Sequence, residues 1–234
     1  MFKRRLLIGA LGLVAAFTVA CSSEPDSSGP LPDGAALLRE SAEAGKGIKS
    51  AHFALAVNGK IDAIPVQLID GDLTKEGSPN GAAKGIAKVE LGGFLVEGEF
   101  VLVDRVLYFK GLTGTFQQLG DASRLYDPST ILDPDKGMAK VLGSVSGAKT
   151  EGTETVNGVS TYRVAGKVSK EVIAAIVPGV TTDVDVKFWL QEEGKHLPVR
   201  AWIQLPPAQP GAGASSVELT LSELDKPVTV ARPV

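Results

Sequence analysis

Along most of the chain apolar residues recur at every second position, with charged or polar residues between them. In HFALAVNGKI, Phe53, Leu55 and Val57 alternate with Ala54, Ala56 and Asn58. Successive side chains of a strand point to opposite faces, so this period marks a strand with one face covered and the other in water. The Asn58-Gly59 pair signals a hairpin, because both residues tolerate positive φ, and PVQLIDGDLTK is the returning strand. In GIAKVELGGFLVEGEFVLVDRVLYFKG three short strands follow. Ala87, Val89 and Leu91 face away from Lys88 and Glu90; Phe94, Val96, Gly98, Phe100 and Leu102 face away from Leu95, Glu97, Glu99 and Val101; RVLYFK returns after Asp104-Arg105. A second Asn-Gly hairpin is predicted at Asn157-Gly158. Beyond it Val184, Val186, Phe188 and Leu190 oppose Asp185, Lys187, Trp189 and Gln191. Val199, Ala201, Ile203 and Leu205 oppose Arg200, Trp202 and Gln204, and SSVELTLSEL repeats the pattern with Val217, Leu219 and Leu221.

Helical spacing interrupts the alternation in a few places. In DGAALLRESAEAGKGIKS, Ala36, Leu37, Glu40, Ser41 and Ala44 share a helical face, with Gly45 and Gly47 as exits. Asp127-Pro128 and Asp133-Pro134 each set an N-cap type before a proline, which predicts two helical segments. Met138, Val141, Leu142 and Val145 share a face of the second, and SKEVIAAIVPG gives one more short helix. Nine to eleven strands and three to five helices in this order predict an α+β fold: a single large antiparallel sheet curled around helices grouped on one face. No short-period repeat of the solenoid or propeller kind is present.

The first residues follow another pattern. Lys3, Arg4 and Arg5 precede an apolar segment from Leu6 to Ala20, shorter than the ~20 residues of a membrane span. It reads as a secretion signal ending before Cys21, the single cysteine of the chain. A lone thiol forms no disulfide within the chain and lacks the partners of a zinc or iron–sulfur site. The segment resembles a bacterial lipoprotein signal, with Val19 and Ala20 fitting and Thr18 standing where leucine is commoner. Cys21 is accordingly the expected site of acylation by fatty chains such as palmitate. At about 0.8 kcal/mol per buried CH₂, two such chains hold a protein on a membrane. We therefore divide the chain into a signal peptide (1–20), a flexible Ser/Pro/Gly-rich tether (21–32) and one domain (33–234), expected to be a monomer.

Charge narrows the function further. The leader holds three basic and no acidic residues, leaving 21 basic against 27 acidic and a net charge near −6. That disfavours nucleic acid, whose phosphates require clustered Lys and Arg. His52 and His196 stand in no metal-ligand spacing, GVSTY and GSVSG lack the GxSxG elbow of hydrolases, and Gly92-Gly93 makes no phosphate loop. Glu97 and Glu99 share the polar face of a strand, where solvated carboxylates do not split their pKa values as a catalytic pair must. We expect no enzyme activity, no metal and no cofactor.

The apolar face remains. It carries Ala87 and Gly98 among larger residues, with only short helices to cover it, so space is expected between sheet and helices. The candidate lining is Phe53, Leu55, Val57, Ala87, Val89, Leu91, Phe94, Val96, Phe100, Leu142, Val186 and Phe188. A hydrocarbon-lined cavity suits acyl chains. A structural or regulatory envelope lipoprotein with a packed core is the alternative, and a lipid hydrolase or acyltransferase is a third.

The strings SAHFALAVNGKI, GDLTK, AKVELGG, LYDPSTILDPDKGMAKVL, TETVNGVSTYRVAGKVS and FWLQEEGKHLPVRAWIQL resemble the mycobacterial-type envelope lipoproteins of the LppX, LprA, LprF and LprG family, above all its LprG branch. The resemblance spans Leu31 to Val234. It implies a half-barrel sheet with helices on its concave side and a large hydrophobic cavity, similar also to the carriers LolA and LolB. It further implies binding of multiply acylated lipids such as phosphatidylinositol mannosides, lipoarabinomannan or triacylglycerol. Anchoring at the outer face of the cell membrane and cooperation with a major-facilitator transporter belong to the same expectation. GIAKVELGG resembles the pocket-wall strand of that family, so Ala87, Val89 and Leu91 carry the expectation twice.

Overall fold

The computed structural model describes residues 29–59, 61, 65–77, 81–122, 127–205 and 213–233. The expected signal peptide, Cys21 and most of the expected tether lie outside the described residues. From Leu31 to Val234 the chain is one compact unit. Among the described residues eleven strands form one antiparallel sheet: β1 (Ser50–Asn58), β2 (Val66–Thr74), β3 (Ala82–Leu91), β4 (Phe94–Val103), β5 (Val106–Lys110), β6 (Gln117–Asp121), β7 (Ser146–Val156), β8 (Val159–Val168), β9 (Val184–Gln191), β10 (Pro198–Leu205) and β11 (Ser215–Ser222). The order is β6-β5-β4-β3-β2-β1-β11-β10-β9-β8-β7. Two meanders are thus joined where the first strand pairs with the last, Phe53 opposite Leu221 and Leu55 opposite Leu219. The sheet is curved but does not close.

Helices α1 (Gly34–Lys46), α2 (Met138–Leu142) and α3 (Lys170–Ile173), with the 3-10 helix η1 (Pro128–Leu132), occupy the concave side. The Asp33 carboxylate caps α1 by accepting from the Ala36 N–H at 2.9 Å. Its buried set is Gly34, Leu37, Leu38, Ser41, Ala42 and Gly45, whereas Glu40 is exposed. The buried stripe differs from the expected face because α1 touches α2 on one flank and β7 and β8 on the other. Gly45 is no exit: a Cβ there would lie 3.6 Å from that of Ala139, and Gly47 forms the C-cap instead. Asp127 caps η1 as predicted, accepting from the Ser129 N–H at 3.0 Å. Asp133 opens no helix; it is the C-cap of η1, its N–H donating to the Thr130 carbonyl at 3.1 Å. Its carboxylate accepts from the N–H groups of Asp135 and Lys136 in a turn, and α2 starts later, behind Gly137.

Turn chemistry holds at Asn157-Gly158, whose φ values of 50° and 80° make a tight β7–β8 hairpin. Asn58-Gly59 behaves otherwise: Asn58 stays in β1 opposite Ser216, and β2 begins only at Val66. Val199 also departs from its expected face. A bulge between Pro198 and Arg200 seats it with Trp189 and Val156 in a small apolar cluster, apart from the main core.

The inner row Phe53, Gly71, Gly85, Phe100 and Phe109 crosses β1 to β5. Gly71 and Gly85 face each other, and a Cβ on either would press into the other strand's backbone. On β7 to β9, Glu151 accepts from Arg163 and Lys187 at 3.0 and 3.1 Å, and Glu154 accepts from Arg163 and the Trp189 indole at 2.9 and 2.8 Å. The Lys187 hydrogen bond, then Arg163, hold Glu151 below the usual carboxylate range; the Trp189 hydrogen bond, then Arg163, do so for Glu154.

Gly85→Ala should destabilise the fold by about 1–3 kcal/mol, since overpacking outweighs the ~0.4–1 kcal/mol that a lost glycine removes from unfolded-chain entropy. Thermal unfolding measures this. For the outer network the sign follows from lowered folded-state pKa values. Its contribution is fully present above the unfolded glutamate value of about 4.3 and is lost as pH falls through the lower folded values. Glu154→Gln should therefore lower Tm at neutral pH, with the Tm curves of variant and parent converging in acid.

Candidate functional site

The helical cover is uneven. α1 lies on β7 and β8, while η1 touches β2 and β3. Between η1 and the strands from β2 to β6 an apolar hollow remains, holding about 500 Å³ of empty space with its open mouth included. Its floor is Ile69, Ala87, Phe100 and Phe109, all buried, and Pro128 of η1 contributes to the cover. Pro65, Val89, Leu91, Leu107 and Leu119 are half-buried or exposed and form its rim. Val66 completes a lining composed wholly of apolar residue types.

The cause of the hollow is legible in cross-strand rows. Ile69 of β2 stands opposite Ala87 of β3, and Ala87 opposite Gly98 of β4. A side chain on Gly98 would meet the Phe109 ring and the Lys110 carbonyl. Phe109 thus fills the space over Gly98, and the room that remains lies over Ala87, walled in by the neighbouring row with Phe100 and Phe109. A second, smaller hollow, about 310 Å³ of empty space with its open mouth included, lies among Leu55, Ile131, Met138, Ile176, Val177, Ile203, Val217 and Leu219. Pro128 and Ile131 of η1 thus reach one hollow each.

The twelve residues expected at a cavity fall into distinct places. Ala87, Val89, Leu91 and Phe100 line the larger hollow, and Leu55 lines the smaller. Val57 and Val96 are half-buried against the core. Phe53, Leu142, Val186 and Phe188 are corrected to packed core: each is at most 1% exposed, and neither hollow includes them. Alternation places a residue on the inner face but does not say whether a helix sits on it. Phe94 is also corrected. It is 76% exposed, because it opens β4 at the sheet's end, beyond any helix. Pro65, Val66, Ile69, Leu107, Phe109, Leu119 and Pro128 were missed. The inward set of RVLYFK would have supplied Leu107 and Phe109, whereas the register shift between Val66 and Leu68 blurs the period of β2.

The polar chemistry lies elsewhere. His52 sits between Asp72, at 3.0 Å from Nδ1, and Asp70, at 3.7 Å from Nε2. His196 Nδ1 meets the Gln191 carbonyl at 2.8 Å. Among the described residues no group of three His, Cys, Asp or Glu is placed to hold a metal ion. No helix among them is long and apolar enough to cross a membrane.

An unclosed antiparallel half-barrel with its helices on the concave side and a hydrocarbon-lined hollow beneath them defines a cavity-bearing class of protein. Within that class, residues 33–230 match the model of the LppX_LprAFG lipoproteins, and the chain belongs to this family. It is 37% identical to the lipoarabinomannan carrier protein LprG of Mycobacterium tuberculosis, over 99% of this chain and 95% of that one. To the protein of the same name from Mycobacterium leprae it is 39% identical, over 98% and 96%. Among solved structures, LprF from Mycobacterium bovis superposes with a TM-score of 0.75 at 29% identity, covering 88% of this chain and 99% of that one. LppX from Mycobacterium tuberculosis gives 0.64 at 26% identity, covering 84% and 97%.

Proposed function

We propose that this chain is a carrier of multiply acylated lipids, tethered to the outer face of the cell membrane through an acylated Cys21. The observation that carries this reading is the larger hollow, an open-mouthed space whose walls are apolar residues only, the lining that acyl chains require. LprG relatives named as lipoarabinomannan carriers support lipids of that class, phosphatidylinositol mannosides included, over a bare core-packing role. Acyl chains leave the bilayer for this hollow, and the headgroup stays at the half-buried rim. Because η1 reaches both hollows, its outward displacement joins them and admits a cargo larger than either. Its contacts with β2, β3 and α2 are few, so displacing it costs little. Delivery in one direction is the task of a partner, for which a major-facilitator transporter is the reading we adopt.

Ala87→Trp tests the hollow against a packed core. With open space above Ala87, the variant keeps its Tm and loses co-purified lipid in native mass spectrometry; in a packed core it loses about 1–3 kcal/mol of stability. A variant that melts normally and retains full lipid removes β3 from the site. Lys88→Ala, on the opposite face, should change neither quantity. The anchor has its own test: Cys21→Ser should abolish incorporation of a fatty-acid probe, and labelling that persists would end the lipoprotein assignment for that residue.

A further inference from the structure

We propose that the loop tips beside the mouth of the hollow form a docking surface that enters the interfacial layer of a lipid bilayer; this deepens the carrier reading and rests on it. The clue is the residue that the inner-face pattern misplaced. Phe94 is 76% exposed, Leu95 beside it 44%, and Leu112 in the β5–β6 loop 92%. These are large apolar side chains in water, at the tips of loops where polar residues are the rule.

Their placement is not scattered. Gly92 and Gly93 turn β3 into β4, with φ values of 60° and 84°. The β5–β6 loop starts against the same end of the sheet, since a Cβ on Gly111 would lie 3.2 Å from the Val96 side chain. Both tips are thin, for no heavy atom lies within 4 Å of where a Cβ on Gly92, Gly93 or Gly114 would stand. They also continue the wall of the hollow. Leu91 lines it and pairs directly with Phe94. An apolar path therefore runs from the floor at Ala87, along Val89 and Leu91, to Phe94.

The chemistry of the occupant follows from shape and charge. Thin, separate protrusions offer a protein partner no broad flat patch, but side chains at hairpin ends can sink between lipid headgroups, where an aromatic ring is favoured. The flanking charges do not add up to a basic patch: Glu90 and Glu97 are acidic, and Lys110 is paired with Glu99 at 2.9 Å. Insertion thus draws on hydrocarbon burial and not on attraction to anionic lipids.

The test places an indole at each tip. Full-length chain carrying Phe94→Trp or Leu112→Trp is mixed with phosphatidylcholine vesicles, with and without bromine on the acyl chains, and read as a difference against the parent. Ile86→Trp, on the outer face of β3 and 47% exposed in the parent, is the control. The expected result is blue-shifted emission that bromine quenches at positions 94 and 112 but not at 86. It should persist in about 1 M salt, where the Debye length is about 3 Å. Tip indoles that stay unquenched, quenching that salt abolishes, or equal quenching at position 86 would each overturn the proposal, the first pointing to a protein partner. Uptake of a fluorescent diacyl lipid by the parent is measured alongside. Quenched tips without uptake would remove the carrier reading and leave the docking surface standing.

Discussion

The rest of the structure depends on the ladder between β1 and β11. Phe53, Leu55 and Val57 face Leu221, Leu219 and Val217 across it, so residues from the two ends of the domain form one continuous apolar face. Without this pairing the chain would be two meanders, each with an apolar side too narrow to wrap helices. With it, both wings share a concave surface, and the helices between β6 and β9 have somewhere to dock. Contacts so distant in sequence close late, because the loop entropy is lost before the hydrophobic contact is gained.

The two wings then diverge. On β8 and β9, in the other wing, the inner face is solid: Val164, Val184, Val186, Phe188 and Leu190 are all at most 1% exposed. Its outer face is tied by Glu151, Glu154, Arg163 and Lys187, and Arg200 lies over the Trp189 ring at 5.3 Å while pairing with Glu218. Among the described residues the β2–β6 wing has the five-residue 3-10 helix η1 on its inner side and isolated outer pairs such as Arg105 with Asp121. A wing with fewer buried contacts opens at lower free energy. The hollow lies in the wing best able to yield.

The alternating pattern made the strands and their two faces legible, since a period of two needs no tertiary information. It failed where backbone detail intervenes: a bulge turned Val199 away from the main core, and Asn58 stayed in its strand because β11 offered Ser216 as a partner. The candidate site was legible in its small residues. Ala87 marks missing volume, whereas the space over Gly98 is taken by the Phe109 ring. Phe188 and Ala87 alternate alike, however, and only the position of α1, α2 and η1 separates a filled row from an empty one. Helix placement is a long-range property, and a short segment such as PSTIL carries little of it.

A lining of hydrocarbon alone constrains how a carrier of this kind can work. Each methylene gains about 0.8 kcal/mol on leaving water, but it gains nearly the same in a bilayer, so transfer from membrane to hollow is close to neutral per methylene. Affinity then reflects small differences in packing and in how far the sheet and η1 must part. That balance favours loading and release equally, as a shuttle requires, and makes the barrier between the two states the quantity the protein must control. The barrier is highest if an acyl chain crosses water. A continuous apolar edge from Ala87 to Phe94, set against headgroups, would remove that crossing, which gives the exposed phenylalanine a physical reason to stand where an ordinary hairpin would place a polar residue.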